Sequence, residues 1–127
     1  MFKMGHKTQF GSFIKELRIE REKTLRQFCK EAQFDPSNWS KIERGVLPPP
    51  QDVESLEKIA RVLGIGRGST EWRKLFDYAS VDRGIIPDDI LSDEEALECL
   101  PTFFRTVRGE KPTEEELERL YKLLKRG

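Results

Sequence analysis

The chain has 127 residues, in which 23 lysines and arginines balance 23 aspartates and glutamates, and 36% of the residues are hydrophobic. This length and composition indicate one globular domain, with room for an appendage, and argue against intrinsic disorder. The zero formal net charge argues against a polybasic nucleic-acid coat or a membrane-surface peptide. No apolar run approaches the roughly 20 residues that a bilayer-spanning helix requires, and residues 1–7 lack the apolar stretch of a secretory signal, so we expect a cytoplasmic protein with no membrane partner.

Apolar residues recur with a period near 3.6 rather than 2 along almost the whole chain, and this period predicts an all-α protein. The first helix has an apolar face that consists of Phe10, Phe13, Ile14 and Leu17. Thr24 is a suitable N-cap for a second helix. The apolar stripe of that helix consists of Leu25, Phe28, Cys29 and Ala32.

A third, short helix follows a turn at residues 33–35. Asp35 is suited to cap this helix and Pro36 to occupy its first position. We expect Gly45 to end the helix in a left-handed conformation, and the three prolines at 48–50 to prevent its continuation.

Two further helices complete a five-helix unit at about residue 80. The fourth begins near Gln51 or Asp52, and its expected buried residues are Val53, Leu56, Ile59, Ala60 and Leu63. The fifth begins after Ser69 as N-cap, and its inward residues are Trp72, Leu75, Phe76 and Ala79. We therefore divide the chain into a domain of residues 1–80 and a helical extension of residues 81–127.

The extension begins with a connector that is too hydrophobic to be a free linker, since residues 85–91 include three isoleucines and a leucine. Two capping boxes, at residues 92–95 and 113–116, each predict the start of a helix. We expect the first of these helices to bend at Pro101.

Residues 24–45, with the sequence TLRQFCKEAQFDPSNWSKIERG, have the layout of two helices joined at a steep angle by a tight turn. In such a unit the second helix can enter the DNA major groove, roughly 12 Å wide, while the first braces across the phosphates. The apolar residues that would lock the two helices together are Leu25, Phe28, Cys29, Phe34, Trp39 and Ile42. The residues left to face outward are Pro36, Ser37, Asn38, Ser40, Lys41 and Arg44.

This segment resembles the helix-turn-helix of phage-repressor, Cro-type regulators, also called the xenobiotic-response-element (XRE) family. The resemblance covers about residues 10–79, and its most specific part is the pattern S-x-x-S-K-I-E-R-G at residues 37–45. It implies a five-helix, lambda-repressor-like DNA-binding domain. It also implies a regulator that is usually dimeric, either a transcriptional repressor or an antitoxin that represses its own operon.

By position, the resemblance places Ser37, Asn38 and Lys41 near base edges and Arg44 near phosphate. The chemistry of the side chains agrees, because Lys41 can donate to guanine O6 or N7 and Asn38 can satisfy donor and acceptor on one adenine edge. The Ser37 hydroxyl serves bases and phosphates equally well. The residues that we expect at phosphates are Arg18, Arg26, Ser40 and Arg44.

The sequence departs from the family pattern at two positions. Leu25 stands where the family often has a glutamine that contacts DNA. Gln33 replaces the usual glycine of the turn, which requires either a strained left-handed residue or an altered turn.

Three charged residues near the motif can be explained without a contact to DNA. A carboxylate that faces phosphates would repel them, so we expect Glu43 to pair inside the protein with Arg18 or Arg21. Arg26 and Lys30 can equally be part of a solvated helix face.

The extension carries 8 lysines and arginines against 12 aspartates and glutamates, a net charge of 8 − 12 = −4, and is not a DNA surface. Its apolar residues are too many for two short helices to hide, which predicts a dimer or partner surface of Phe103, Phe104, Val107, Leu117, Leu120, Tyr121 and Leu124. The first candidate is a homodimer, which would recognise a near-palindromic operator in double-stranded DNA. The segment FFRTVRGEKP with its terminal helix is also similar to the dimerisation region of DNA-damage repressors inactivated by a partner metalloprotease.

No constellation in the sequence points to catalysis. Cys29 and Cys99 lie 70 residues apart without metal-ligand spacing, and His6 is the only histidine. The nucleotide-binding, nucleophile-elbow and zinc-protease motifs are missing. We therefore expect no enzyme, no catalytic residue, no metal and no cofactor, and interpret the chain as a dimeric DNA-binding repressor. The alternative is an antitoxin whose acidic half neutralises a basic toxin.

Overall fold

A computed structural model of the chain describes residues 9–126, and within this range it contains α-helices and no β-strand. The all-α prediction is therefore confirmed. The helices are α1 (Gln9–Glu20), α2 (Leu25–Ala32), α3 (Pro36–Glu43), α4 (Val53–Val62), α5 (Thr70–Arg83), α6 (Asp88–Leu91), α7 (Glu94–Val107) and α8 (Glu114–Arg126). The chain divides into two compact units between Ile85 and Ile86, so that α1–α5 belong to the first unit and α6–α8 to the second. None of the helices in residues 9–126 combines the length and the apolar character needed to cross a bilayer.

Side-chain caps begin helices α2 to α5. Each cap accepts a hydrogen bond from the backbone N–H three residues further on, and the four caps are Thr24, Asp35, Asp52 and Ser69. These bonds satisfy donors that the first turn of a helix otherwise leaves unpaired. The predicted starts of these four helices are confirmed.

The core of the first unit is built from the inner faces of all five helices. Its largest fully buried side chains include Phe10, Ile14, Phe28, Trp39, Ile59, Leu63 and Leu75. The sequence predicts that Val53 lies in this core, and that prediction is wrong because the side chain is 58% exposed. It is the first residue of α4, and the first buried residue of that helix is Leu56, three positions later.

Helix α1 packs unusually close to the carboxyl end of α3. A Cβ atom added to Gly11 would lie 2.5 Å from the carbonyl oxygen of Glu43 and 2.8 Å from that of Ile42. Only glycine allows such an approach. The start of α1 is held by α5, where the carboxylate of Asp82 accepts a 2.8 Å hydrogen bond from the backbone N–H of Phe10.

The second unit is a helical hairpin of α7 and α8 preceded by the short α6, which the sequence did not predict as a helix. The capping box at Thr113 and Glu116 is confirmed by two reciprocal bonds between backbone N–H groups and side chains. The box predicted at residues 92–95 is wrong, because Asp93 caps α7 and the Ser92 hydroxyl instead donates to the carbonyl of Asp88. Helix α7 is continuous through Pro101.

Polar contacts join α7 to α8 at both ends of the hairpin. Glu116 pairs with Arg105 and accepts a bond from the buried Thr102 hydroxyl, at 3.2 Å. At the other end, the guanidinium of Arg126 lies 2.5 Å from the carboxylate of Asp93 and 3.4 Å from that of Glu95.

Candidate nucleic-acid interface

Helices α2 and α3 are joined by a turn that depends on one left-handed residue. Gln33 has φ 61° and ψ 45°, and its backbone N–H donates to the carbonyl of Cys29. The backbone N–H of Phe34 donates to the same carbonyl at 2.9 Å. Of the two alternatives drawn from the sequence, the strained left-handed residue is therefore the correct one.

Aromatic rings fix α3 to the rest of the first unit. The ring of Phe34 stacks on Trp39 with a centroid distance of 4.9 Å and an interplanar angle of 4°. Phe28 of α2 lies 5.0 Å from Trp39, and Phe10 of α1 meets it edge-on at 6.4 Å. Trp39 is buried, which confirms the apolar, locking role that its position in the sequence predicts.

A buried ion pair ties α3 to α1. The two carboxylate oxygens of Glu43 each accept a 3.0 Å bond from Arg18, through Nε and Nη2, and Trp39 Nε1 donates to Glu43 at 2.9 Å. Arg18 Nη1 donates to the carbonyl of Lys23 at 2.9 Å. The side chains of Arg18 and Glu43 are 10% and 4% exposed. The predicted internal pairing of Glu43 with an arginine of α1 is confirmed, and its partner is Arg18.

The same geometry corrects the expectation that Arg18 contacts phosphate. All three nitrogens of its guanidinium donate to groups within the first unit, and the residue is buried. A guanidinium held in this way cannot reach a DNA backbone. Arg21 is also engaged within the unit, because its Nε donates to the carbonyl of Leu63, the C-cap of α4, at 2.7 Å.

The opposite face of α3 carries the residues expected to read DNA. Ser37 and Asn38 are exposed in the first turn, and Lys41 is partly exposed one turn further along. Arg44 is exposed at the end of the helix, and its Nε donates to the Ser40 hydroxyl at 3.4 Å.

Two further cations lie on α2. Arg26 is exposed in its first turn and Lys30 in its last. Apart from Arg18, every side chain expected to contact DNA is thus at least partly accessible on α2, α3 or the end of α3.

Cys29 lies on the inner side of this motif. Burial, and then the negative charge of Glu43, raise the pKa of its thiol to about 11. The thiol is therefore protonated at neutral pH, and it packs as a small apolar group, as the sequence suggested.

Two contributors to the site were not found from the sequence. The bond from Trp39 to Glu43 could have been recognised, because residues four apart on a helix are neighbours. The contact of Gly11 with the end of α3 had a weaker signal, a glycine beside the apolar face of α1. No group of three or more histidine, cysteine, aspartate or glutamate side chains in residues 9–126 is arranged to hold a metal ion.

A family model described as a helix-turn-helix domain matches residues 9–72, half of the chain. The chain therefore belongs to the helix-turn-helix domain family, and it is a DNA-binding regulator, consistent with the XRE-type pattern at residues 37–45. Domains of this family are typically not enzymes. No curated protein and no solved structure matches the chain significantly.

Proposed function

We propose that the protein is a dimeric, sequence-specific repressor that inserts α3 into the major groove of a near-palindromic operator. The observation that carries this proposal is the division of α3 into two faces. Trp39 and Glu43 hold its inner face by aromatic packing and a buried ion pair, while Ser37, Asn38 and Lys41 remain accessible on the outer face. A rigid helix with free polar side chains in its first turns is what base readout requires.

Base readout is assigned to the first two turns of α3. Lys41 donates to guanine O6 or N7, and Asn38 forms a bidentate contact with adenine. Ser37 contributes a hydroxyl at the edge of the groove.

Phosphate contact is assigned to residues that flank the reading face. Arg44 and Ser40 lie together at the end of α3, within 3.4 Å, and can hold one phosphate between them. Arg26 in the first turn of α2 supplies a cation where that helix would cross the backbone. These contacts set affinity and salt dependence rather than sequence preference.

Dimerisation is assigned to the second unit. Six of the seven apolar side chains that the sequence singled out are exposed, and Leu120 is partly buried. Monomeric proteins rarely expose so many large apolar groups on so small a unit. A two-fold dimer would present two reading helices about one DNA turn apart.

Selection of binding sequences from a random pool of double-stranded DNA by the full-length protein tests the proposal. We expect enrichment of one motif with two inverted half-sites separated by about 10 base pairs between their centres. The Asn38→Ala/Lys41→Ala variant, with both changes on the outer face of α3, should enrich no such motif. An unenriched pool with the wild-type protein would contradict sequence-specific reading, and an asymmetric motif would contradict the dimer.

A second candidate function is that of an antitoxin, and one observation favours it. The exposed apolar side chains of the second unit lie in a segment with a net charge of −4, which suits a basic protein partner. The neighbouring gene distinguishes the candidates. A small basic reading frame would favour the antitoxin, whereas a metalloprotease gene would favour a repressor controlled by cleavage.

A further inference from the structure

Helix α8 exposes an apolar stripe along its whole length. Leu117, Tyr121 and Leu124 follow one another at intervals of four and three residues and are 49%, 58% and 72% exposed. This spacing places all three on one face of the helix. Helix α7, which packs on α8, adds the exposed side chains of Phe103, Phe104 and Val107.

The charges of α8 are separated along its axis. Its first five residues include four glutamates, at 114, 115, 116 and 118, and its basic residues all follow, at 119, 122, 125 and 126. Several of these are engaged within the chain, because Glu116 pairs with Arg105, Glu115 with Arg119, and Arg126 with Asp93.

Glu118 and Lys125 have a different position. They are seven residues apart, two helical turns, and therefore lie along the same flank of the helix. Lys125 borders the apolar stripe, since its Nζ lies 4.9 Å from the centroid of the Tyr121 ring. Both side chains are exposed, and neither forms an ion pair with another residue in the described range 9–126.

We infer that α8 pairs with α8 of a second copy of this chain in antiparallel orientation. This inference rests on the dimer proposed above and specifies its geometry. If the stripes meet at their centres, Leu117 packs against Leu124 of the partner subunit. Lys125 then lies beside Glu118 of the partner subunit, and the two-fold axis repeats the contact.

Charge complementarity favours α8 of a second copy as the partner of α8, and it favours the antiparallel orientation. An antiparallel pair brings the acidic half of each helix beside the basic half of the other and opposes the two helix dipoles. A parallel pair would place glutamates beside glutamates and lysines beside lysines, which is unfavourable. A uniformly basic partner would match only the acidic half of α8.

Two charge reversals in the full-length protein test the antiparallel pair. In Glu118→Lys homodimers, lysines face lysines at both symmetric contacts, and in Lys125→Glu homodimers, glutamates face glutamates. Each variant alone should raise the dimer dissociation constant by about tenfold, measured by sedimentation equilibrium, because two surface pairs become repulsive. An equal mixture of the two variants should form heterodimers with nearly wild-type affinity, since each lysine then faces a glutamate.

The control variant is Lys111→Glu, which makes the same charge change in the loop between α7 and α8 and should leave the dissociation constant unchanged. Recovery of affinity in the mixture also shows that both variants are folded. If the mixture associates no better than the separate variants, the antiparallel pair is wrong. The proposed repressor would still stand if the wild-type protein is a dimer and enriches an inverted repeat. A wild-type chain that stays monomeric overturns both the pair and the proposed dimer, while DNA selection tests readout independently.

Disulfide trapping reports the orientation directly. In the antiparallel pair, a mixture of Leu117→Cys and Leu124→Cys chains should form a crosslinked heterodimer under mild oxidation, and each variant alone should crosslink poorly. Efficient crosslinking of the separate variants would show a parallel pair and overturn the inference. The native cysteines interfere little, because Cys29 and Cys99 are both buried.

Discussion

Glu43 accepts three hydrogen bonds, two from Arg18 and one from Trp39, in a setting where its side chain is almost fully buried. A buried carboxylate without such partners would be very costly, because its lost hydration must be replaced. Since Trp39 and Glu43 are both on α3, the network determines how α3 packs against α1. The role that we propose for Glu43 in DNA binding is therefore to position α3, not to contact DNA.

Replacement of Glu43 by alanine should destabilise the protein by about 3–5 kcal/mol, because it leaves the Arg18 guanidinium buried and unpaired. Chemical denaturation measures this loss. The Glu43→Gln variant should lose less, since an amide oxygen can still accept from Trp39. Glu20→Ala is the control, because it removes an exposed carboxylate 3.5 Å from Arg21 and should change stability by less than about 1 kcal/mol. An equal loss of stability in Glu43→Ala and Glu20→Ala would contradict the role assigned to Glu43.

Replacement of Lys41 by alanine should weaken binding to the selected operator by about 1–3 kcal/mol and leave binding to random DNA nearly unchanged. The Arg44→Ala variant should behave differently, with weaker binding to all sequences and a salt dependence that falls by about one counterion. Titrations at several salt concentrations separate the two effects. Lys74→Ala, an exposed lysine on α5, is the control, and a uniform loss for Lys41→Ala would remove that residue from base readout.

For single residues, the sequence predicts the position of a side chain from neighbours that are close along the chain. It also predicts the chemical type of a partner from the charge of the side chain. The outward position of Ser37 and Asn38 follows from the spacing of Trp39 and Ile42, and the need of Glu43 for a cation follows from its charge. The sequence could not decide whether Arg18 or Arg21 is the cation that pairs with Glu43. The choice depends on how α1 packs against a helix 25 residues further on, and the same packing buries Arg18 away from phosphate.

Among the elements, the turn between α2 and α3 depends on a glutamine in a conformation that favours glycine. The left-handed conformation at Gln33 costs about 1–2 kcal/mol for a residue with a Cβ. Glycine avoids this cost but loses more backbone entropy on folding. The turn is therefore a place where local strain is stored directly before α3.

The Gln33→Gly variant should be more stable than the wild type by about 0.5–1 kcal/mol, the difference between these two terms. Thermal unfolding of the variant and the wild type at several denaturant concentrations measures this difference in stability. Lys74→Gly, in the interior of α5, should lose about 1 kcal/mol, because glycine disfavours helix. A loss of stability in Gln33→Gly would show that the left-handed residue is not strained.

Contact between α1 and α3 should be sensitive to one methyl group. Gly11→Ala should destabilise the first unit by about 1–3 kcal/mol, because its Cβ would overlap the carbonyl oxygen of Glu43. It should also weaken operator binding, since α3 must shift. Gly66→Ala is the matched control, because its Cβ would meet no atom closer than 4.0 Å; equal stability of both variants would contradict the close approach.

Helices with strong caps and a regular apolar stripe were predictable as elements. The starts of α2, α3 and α5 follow from Thr24, Asp35 and Ser69, since a capping bond spans only three residues. Helix α6 was missed because four residues are too few to show a period. The predicted start of α7 is wrong by one residue, because Ser92 and Asp93 are both good N-caps. The sequence alone does not decide which of the two side chains accepts the capping hydrogen bond.

For the molecule as a whole, the neutral net charge is the sum of two opposite parts. Residues 1–80 carry 15 − 11 = +4 and residues 81–127 carry 8 − 12 = −4. The positive part contains the helix-turn-helix, and the negative part contains the apolar residues proposed for dimerisation. A DNA backbone attracts the first and repels the second.

The double variant Leu117→Asp/Leu124→Asp should sediment as a monomer, because it places two charges in the apolar stripe of α8. Its affinity for the full operator should fall by about 100-fold or more, since the second half-site no longer binds intramolecularly. Affinity for an isolated half-site should stay unchanged. The control variant Val81→Asp/Ile85→Asp changes two apolar residues of the first unit that are 60% and 48% exposed, and it should remain dimeric. An unchanged dimer in the α8 variant would disprove the proposed surface.

The stacked pair of Phe34 and Trp39 gives this protein an intrinsic optical reporter. The sequence has two tryptophans: Trp39 is buried against Phe34, whereas Trp72 on α5 is partly exposed beside Arg67. A water-soluble quencher therefore reaches the indole of Trp72 first. The fluorescence that survives quenching comes from Trp39, so local loosening of α3 can be followed separately from unfolding of the whole chain.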